Sequence, residues 1–393
     1  MPPPLRALVV EDGNQRGVLA AVRALGAAGW ELGVAAPHRG LAARSRWTRH
    51  WHPVPSPTGG IDPFVDALLV AQDAGGYDVA FGGGDAEVLA LSAVRDRLGM
   101  AVPLPAHHVV VRSFDKSALT EAAVAAGLAV PRVLDGSADA PAGQVVVKER
   151  LHGDPSTGAS VEHRTPVVVE AEEADRRSEE IRAAGGAPVL QELVEGELLA
   201  LVVVVDRDGT VVGAVQQRSG RVWPRAAGVS ARARSVPVDV DLLAPTARLL
   251  ADLGWFGLAQ LQFIAPAGGA PRLIDFNGRF FGSLQLSVAA GLDLSPPLRA
   301  LATGEPMAPQ APGQAGLRYQ WLEGDLRRAV DERRGGLVRD VVDCLRTAPR
   351  ATHSTWHRAD PWPATALGLE LLGRGAGKAA RRGAASVRAL RSR

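Results

Sequence analysis

The chain of 393 residues is poor in several things that carry chemistry elsewhere. It has one cysteine, Cys344, so neither a disulfide framework nor a thiolate cluster is available, and a reducing compartment suits it. It has three lysines, Lys116, Lys148 and Lys378, among 44 basic residues. Arginine stands almost everywhere else, so a lysine that is kept draws notice, because a compact ammonium is not interchangeable with a guanidinium. No apolar run reaches the ~18–20 residues of a membrane span. The opening MPPPLRALVVEDG lacks the long apolar stretch and small-residue cleavage site of a secretory signal, and a cytoplasmic location is expected. Histidines are scattered. Arg49-His50-Trp51-His52 has no third ligand at zinc spacing and reads as structural. No internal repeat is present. The turn after the first strand lacks G-x-G-x-x-G, which argues against a dinucleotide-dependent dehydrogenase.

Net charge is +2, yet residues 374–393 hold seven basic side chains and no acidic one. The remaining body is mildly acidic, so no nucleic-acid partner is expected. The tail reads as a solvated helix or a contact with an anionic surface. At 46% hydrophobic and 22% charged, the chain has the length and composition of two or three globular domains.

Residues 5–10 read as a strand, 16–28 as a helix, 31–35 as a strand, 61–73 as a helix, 78–81 as a strand and 85–98 as a helix. This alternation implies an α/β unit with a parallel sheet up to about residue 105. Ser113 is expected to cap a helix ending at Gly127. Strands are expected at 145–148 and 189–193 around a helix at 171–184. A hairpin follows over 198–217, turned by Asp206-Arg207-Asp208-Gly209. After a helix at 241–253 come two strands flanking 265–270 and a short helix at 281–290. Residues 309–393 are expected to form a helical extension.

The richest stretch is Ala259-Gln260-Leu261-Gln262-Phe263, then Leu273-Ile274-Asp275-Phe276-Asn277-Gly278-Arg279. Gly268-Gly269 lies midway between Gln262 and Asp275, so a symmetric hairpin sets those two opposite each other. Asn277 shares their face, because strand side chains alternate, while Leu261, Phe263, Ile274 and Phe276 point to the other. Two carbonyl oxygens and a carboxylate converging on one point suit Mg²⁺, with Mn²⁺ as an alternative. Arg279 follows, a fork for phosphate or acyl-phosphate oxygen.

This segment resembles the Glu-x-Asn-Pro-Arg-Phe-Trp-Gly-Ser segment of the ATP-grasp superfamily, in its carboxylate–amine ligase-like branch. The resemblance covers residues 5–305. Gln262 falls where the first metal-binding acid usually stands, and the carbamoyl-phosphate synthetase large-subunit branch has a glutamine in a comparable place. Lys116, in Ser113-Phe114-Asp115-Lys116, and Lys148, ending Val145-Val146-Val147, resemble the family's two phosphate-contacting lysines. Two point charges from separate elements neutralise a triphosphate. Ser156, Thr157 and Gly158 resemble the loop that closes over the phosphates. Gln191, Glu192, Leu193 and Val194 resemble the adenine-holding hinge, with Glu197 on the ribose. Among Arg218, Arg221 and Arg225, Arg218 is the expected phosphate neighbour, and Ser230 lies in the family's acceptor-side loop. Asp85 and Glu87 follow a strand at the mouth of the first sheet, where ligands of open α/β folds bind; helix capping explains Asp85 as well.

The resemblance implies an N-terminal Rossmann-like domain over 1–105 and a two-lobed α+β ATP-grasp domain over 106–308. Its lobes divide near 195–196, and the helical extension follows over 309–393. It also implies ATP and Mg²⁺ as cofactors and an ADP-forming ligase. A carboxylate, activated as an acyl phosphate, would be attacked by an amine, both being small molecules; a homodimer is compatible. Two alternatives stay open: an ATP-binding regulator, and an enzyme making carboxy- or carbamoyl-phosphate.

Overall fold

The computed structural model describes the chain except residues 1–3, 14, 137–138, 140–142, 152–166, 225–227, 334 and 371–393. Ser156, Thr157, Gly158, Arg225 and the basic tail therefore lie outside the described residues.

The first unit runs β1 (Arg6–Val10), α1 (Arg16–Ala27), β2 (Glu31–Ala36), β3 (Thr48–Pro53), α2 (Ile61–Gly75), β4 (Val79–Gly82) and α3 (Asp85–Val94). Its four strands are all parallel, in the order β3-β2-β1-β4. Strands β1, β2 and β4 are almost wholly apolar on both faces and buried, as crossover helices on each side require. The sequence pattern misses β3, because this edge strand carries Arg49, His50 and His52 on a half-exposed ladder. His52 there meets the Tyr77 hydroxyl at 2.7 Å.

Two helices, α4 (His107–Phe114) and α5 (Lys116–Ala125), lead to the second unit. The expected Ser113 cap is a correction: Ser113 sits inside α4 and donates to the Val109 carbonyl. Asp115 caps α5 instead, accepting from Ser117 N at 2.9 Å and Ala118 N at 3.2 Å. The small antiparallel sheet is built from β5 (Val133–Leu134), β6 (Gln144–Glu149), β7 (Val167–Glu170) and β8 (Pro188–Glu192), with α6 (Ala171–Ala183) on one face. It has a core of its own, including Val145, Val147, Ile181 and Leu190.

The large sheet contains β9 (Glu197–Val205), β10 (Val211–Trp223), β11 (Val229–Val236), β12 (Gly257–Ala265) and β13 (Arg272–Asn277), with α7 (Val240–Leu253) between β11 and β12. After α8 (Leu284–Ala289) and α9 (Ser295–Thr303), the extension is helical in α10 (Leu322–Glu332) and α11 (Leu337–Thr347). It also adds two short strands, β14 (Arg318–Gln320) and β15 (Thr352–His353). The order is β13-β12-β9-β10-β11-β14-β15. Even-numbered residues of β9 face the first unit and odd-numbered ones face α5 and α7.

One core joins the two units: Val9, Val18 and Leu25 pack with Val202, Val204, Leu258, Phe280 and Phe281. The approach is so close that a Cβ on Gly17 would stand 2.5 Å from the Phe281 carbonyl oxygen, which only glycine avoids. Among the described residues no helix is long and apolar enough to cross a membrane.

Candidate active site

The β12–β13 register sets Gln262 opposite Asp275 and Gln260 opposite Asn277, so one sheet face gathers a carboxylate and three carboxamides. Leu261, Phe263 and Phe276 are buried on the other face. Ile274 departs from the expected apolar set. Gln262 pairs with Asp275 but Phe263 with Leu273, so Ile274 is the extra residue of a β-bulge. Its carbonyl accepts the Lys148 ammonium at 2.9 Å.

That contact carries Lys148 from the small sheet to the rim of the Asp275 face. Lys116 is brought up by its own backbone: its N–H donates to the Arg150 carbonyl at 3.0 Å, and Arg150 pairs with the capping Asp115 at 2.8 Å. The start of α5 is thereby strapped to the end of β6. Burial pushes the Lys148 ammonium from the ordinary 10.5 down to about 8; Asp275 pulls it up and Lys116 pushes it lower. A desolvated ammonium near one carboxylate and another ammonium is a charge waiting for an anion.

Amide contacts orient the face. Gln262 Nε2 donates to Gln260 Oε1 at 3.2 Å, Gln260 reaches the Ser283 hydroxyl at 3.3 Å, and Ser283 donates to Gln217 at 2.8 Å. Gln217 and Gln260 were not singled out from sequence, although Gln260 stands two residues before Gln262 and so shares its face.

A cleft of about 930 Å³ separates this face from the first unit. Gln262, Arg279 and Ser230 line one wall, and Asp12, Asp85 and Glu87 the other. Arg279 Nε donates to Asp85 at 2.6 Å, joining the walls. Burial works against the Arg279 charge, yet Asp85, Asp275 and Glu87 hold its pKa above the usual range. Gly278 lies under Trp255: a Cβ there would stand 2.2 Å from the indole. Cys344 is fully buried, 3.5 Å from the Asp325 carbonyl, with burial raising its thiol pKa, so no thiol chemistry reaches the cleft.

The expected hinge residues are placed unevenly. Gln191 is buried in β8, the Glu192 carboxylate is tied to the Arg132 amide and to Arg272, and Leu193 and Val194 are half-buried. Glu197 and Arg218 are corrections. By register both lie on the sheet face opposite Gln262, where they pair with each other at 2.9 Å. A bulge between Val211 and Gly213 sets the phase of β10, and it is Gln217 that shares the Gln262 face, buried under Ser283.

Two buried carboxyls back the cleft. Burial raises Glu11 to about 8, with Asp12 and Glu87 adding to it; burial, Asp12 and Asp85 raise Glu87 to about 7 against the pull of Arg279. Both hold protons in the fold that the unfolded chain releases above 4.5. This contribution is therefore complete below that pH and is lost as pH rises through about 7 and about 8. The melting temperature is expected to fall between pH 5 and 8.5, and Glu11→Gln to fall less. Identical profiles for the two proteins would refute the assignment.

No family model and no curated protein sequence matches the chain. Solved structures do. The biotin carboxylase domain of 2-oxoglutarate carboxylase from Hydrogenobacter thermophilus, with MgADP, ADP and bicarbonate, superposes with a TM-score of 0.60 at 15% identity, over 80% of this chain and 73% of that one. N5-carboxyaminoimidazole synthetase from Staphylococcus aureus, complexed with ADP, gives 0.58 at 11% identity over 80% of each. The L-amino acid ligase from Bacillus licheniformis gives 0.56 at 13% over 77% and 75%. The chain has the ATP-grasp fold.

Proposed function

We propose that the chain is an ATP-dependent ligase, ADP-forming, that activates a carboxylate as an acyl phosphate and joins it to an amine. Three units, 1–105, 106–308 and 309–393, would divide the work. The observation that carries this reading is Lys148, buried and held by the Ile274 carbonyl at the rim of the Asp275–Gln262 face. That placement commits a costly ammonium to the spot where a nucleotide's phosphates would meet a metal-binding face.

Among the described residues no group of three or more His, Cys, Asp or Glu side chains is placed to hold a metal. One carboxylate with carboxamide oxygens fits Mg²⁺ only in company with phosphate oxygens, as when the ion arrives with a nucleotide. Asp275, Asn277 and Gln262 would hold it, and it would supply charge neutralisation at the transferring phosphoryl group. Lys116 and Lys148 neutralise the phosphates. Arg279, fixed by Asp85, orients the carboxylate whose oxygen attacks the γ-phosphorus as the bond to ADP breaks. Glu87, titrating near neutrality on the cleft wall, takes the proton of the amine as it displaces phosphate from the acyl carbon. Adenine would lie at Gln191–Val194, with Ser156, Thr157 and Gly158 over the phosphates and Ser230 beside the acceptor. The cleft walls exclude water from the acyl phosphate.

ADP release from Mg-ATP against pooled carboxylates and amines, with bicarbonate as a separate arm, tests the reading. Acceleration by a carboxylate–amine pair supports it. Acceleration by bicarbonate alone replaces it with a carboxyphosphate-forming enzyme, to which Gln262 is suited. Saturable ATP binding with no acceleration replaces it with a nucleotide-binding regulator. Gln262→Glu adds a second carboxylate and is expected to lower the Mg²⁺ concentration needed for half-maximal rate about tenfold. An unchanged Mg²⁺ dependence would remove Gln262 from the metal set.

A further inference from the structure

The back of the large sheet carries a row of like charges. The register sets Arg218 of β10 opposite Arg234 of β11, and Arg234 opposite Arg318 of β14. Three guanidinium groups thus leave one face on three adjacent strands, an arrangement that opposes folding, since like charges across a ladder repel. Two more arginines of that face, Arg221 and Arg232, are neutralised by Asp325 and Asp343 of α10 and α11. Arg218 is paired with Glu197. Arg234 and Arg318 are exposed and have no carboxylate within 4.0 Å among the described residues.

These side chains line a groove of about 340 Å³, bounded also by Thr347 at the end of α11. Inside it, Arg218 Nε and Arg232 Nη2 are shut off from solvent and have no hydrogen-bond partner. The uncompensated positive charge of the exposed Arg234 and Arg318, and a concavity of small-molecule size, point to the same missing group, an oxyanion.

We propose that this groove binds a small organic anion carrying two or more phosphate or carboxylate charges, held by Arg218, Arg234 and Arg318. The planar fork of arginine matches either oxyanion in bidentate fashion. The volume suits a metabolite and lies near the lower end for small-molecule sites. The groove is separate from the cleft, because Gln217 and Ala200 share the Gln262 face while their neighbours Arg218 and Leu199 face the other way. Arg218 also holds Glu197, the first residue of β9, so an occupant that draws Arg218 aside loosens the β8–β9 connection. The proposal does not depend on the ligase reading.

Inorganic phosphate and citrate serve as separate probes, at constant ionic strength, in calorimetric titration of the full chain and of Arg234→Gln/Arg318→Gln. Both replaced residues are exposed, so the variant keeps its fold. The expected result is saturable binding of at least one probe, weakened about tenfold or more in the double variant and by less in Arg318→Gln alone. Binding of phosphate alone assigns the groove to phosphate esters; binding of citrate alone assigns it to polycarboxylates. Equal affinity in wild type and double variant would place the anion in the cleft beside Lys116 and Lys148 and overturn the proposal. So would the absence of binding by either probe at millimolar concentration.

Discussion

Replacing Asp275 by alanine is expected to reduce substrate-dependent ADP release by about a thousandfold, the scale of losing a metal ligand and the charge it compensates. The argument has two parts. Asp275 is the one carboxylate on a face otherwise built of Gln260, Gln262 and Asn277, so its loss leaves only neutral donors. It also supports the charge of both Lys148 and Arg279; without it the Lys148 pKa falls further, and less of the ammonium is present at neutral pH. ATP binding, measured by calorimetry, is expected to weaken but persist, because Lys116 and the β8 exit are untouched. Retention of more than about a tenth of the wild-type rate would remove Asp275 from the chemistry.

Lys148→Met is expected to separate activity from stability. Under the proposed ligase reading, turnover falls by about a hundredfold to a thousandfold, since a charge that would meet the transferring phosphoryl group is gone. Stability rises by about 1–2 kcal/mol: burial costs the ammonium several kcal/mol, and the Ile274 carbonyl left without its donor gives part of that back. The pH dependence follows from the depressed pKa. Below about 8 both folded and unfolded chains carry the proton and the full cost is present. Between about 8 and 10.5 the fold releases it first, so the wild type gains stability over that range. Methionine has no proton to release, and the variant is expected to lack this gain. A variant less stable than wild type at pH 7, or one with an undiminished alkaline gain, would sink the argument.

The site was legible where it was local. A hairpin folds on itself, so the position of Gly268-Gly269 sufficed to pair Gln262 with Asp275. The bulge at Ile274 was not readable, because an extra residue leaves the surrounding alternation intact on both sides. Arg218 was misplaced for a related reason: the face it takes depends on a bulge at Val211–Gly213 that no residue type announces. The parallel sheet was legible through its buried apolar strands, but β3 was hidden by its charge. Strands β14 and β15, three and two residues long, are too short for any period to show. The second wall of the cleft was half seen. Asp85 and Glu87 follow from their place after β4, whereas Asp12 and Arg16 come to the cleft that Arg279 and Ser230 line only because the first unit packs on the large sheet.

That contact has a kinetic consequence. Gly17 lies against the Phe280–Phe281 backbone, and one continuous core runs from α1 into the large sheet. The small sheet is built differently, around a separate core, and meets the large sheet through Lys148, the Glu192–Arg272 ion pair and the β8–β9 connection. The cleft wall on the first unit is therefore built into the same core as the large sheet, while the small sheet adds its residues from a core of its own. Under the proposed reading this asymmetry predicts that the rate of turnover falls as solvent viscosity rises, because the small sheet must come to the fixed wall.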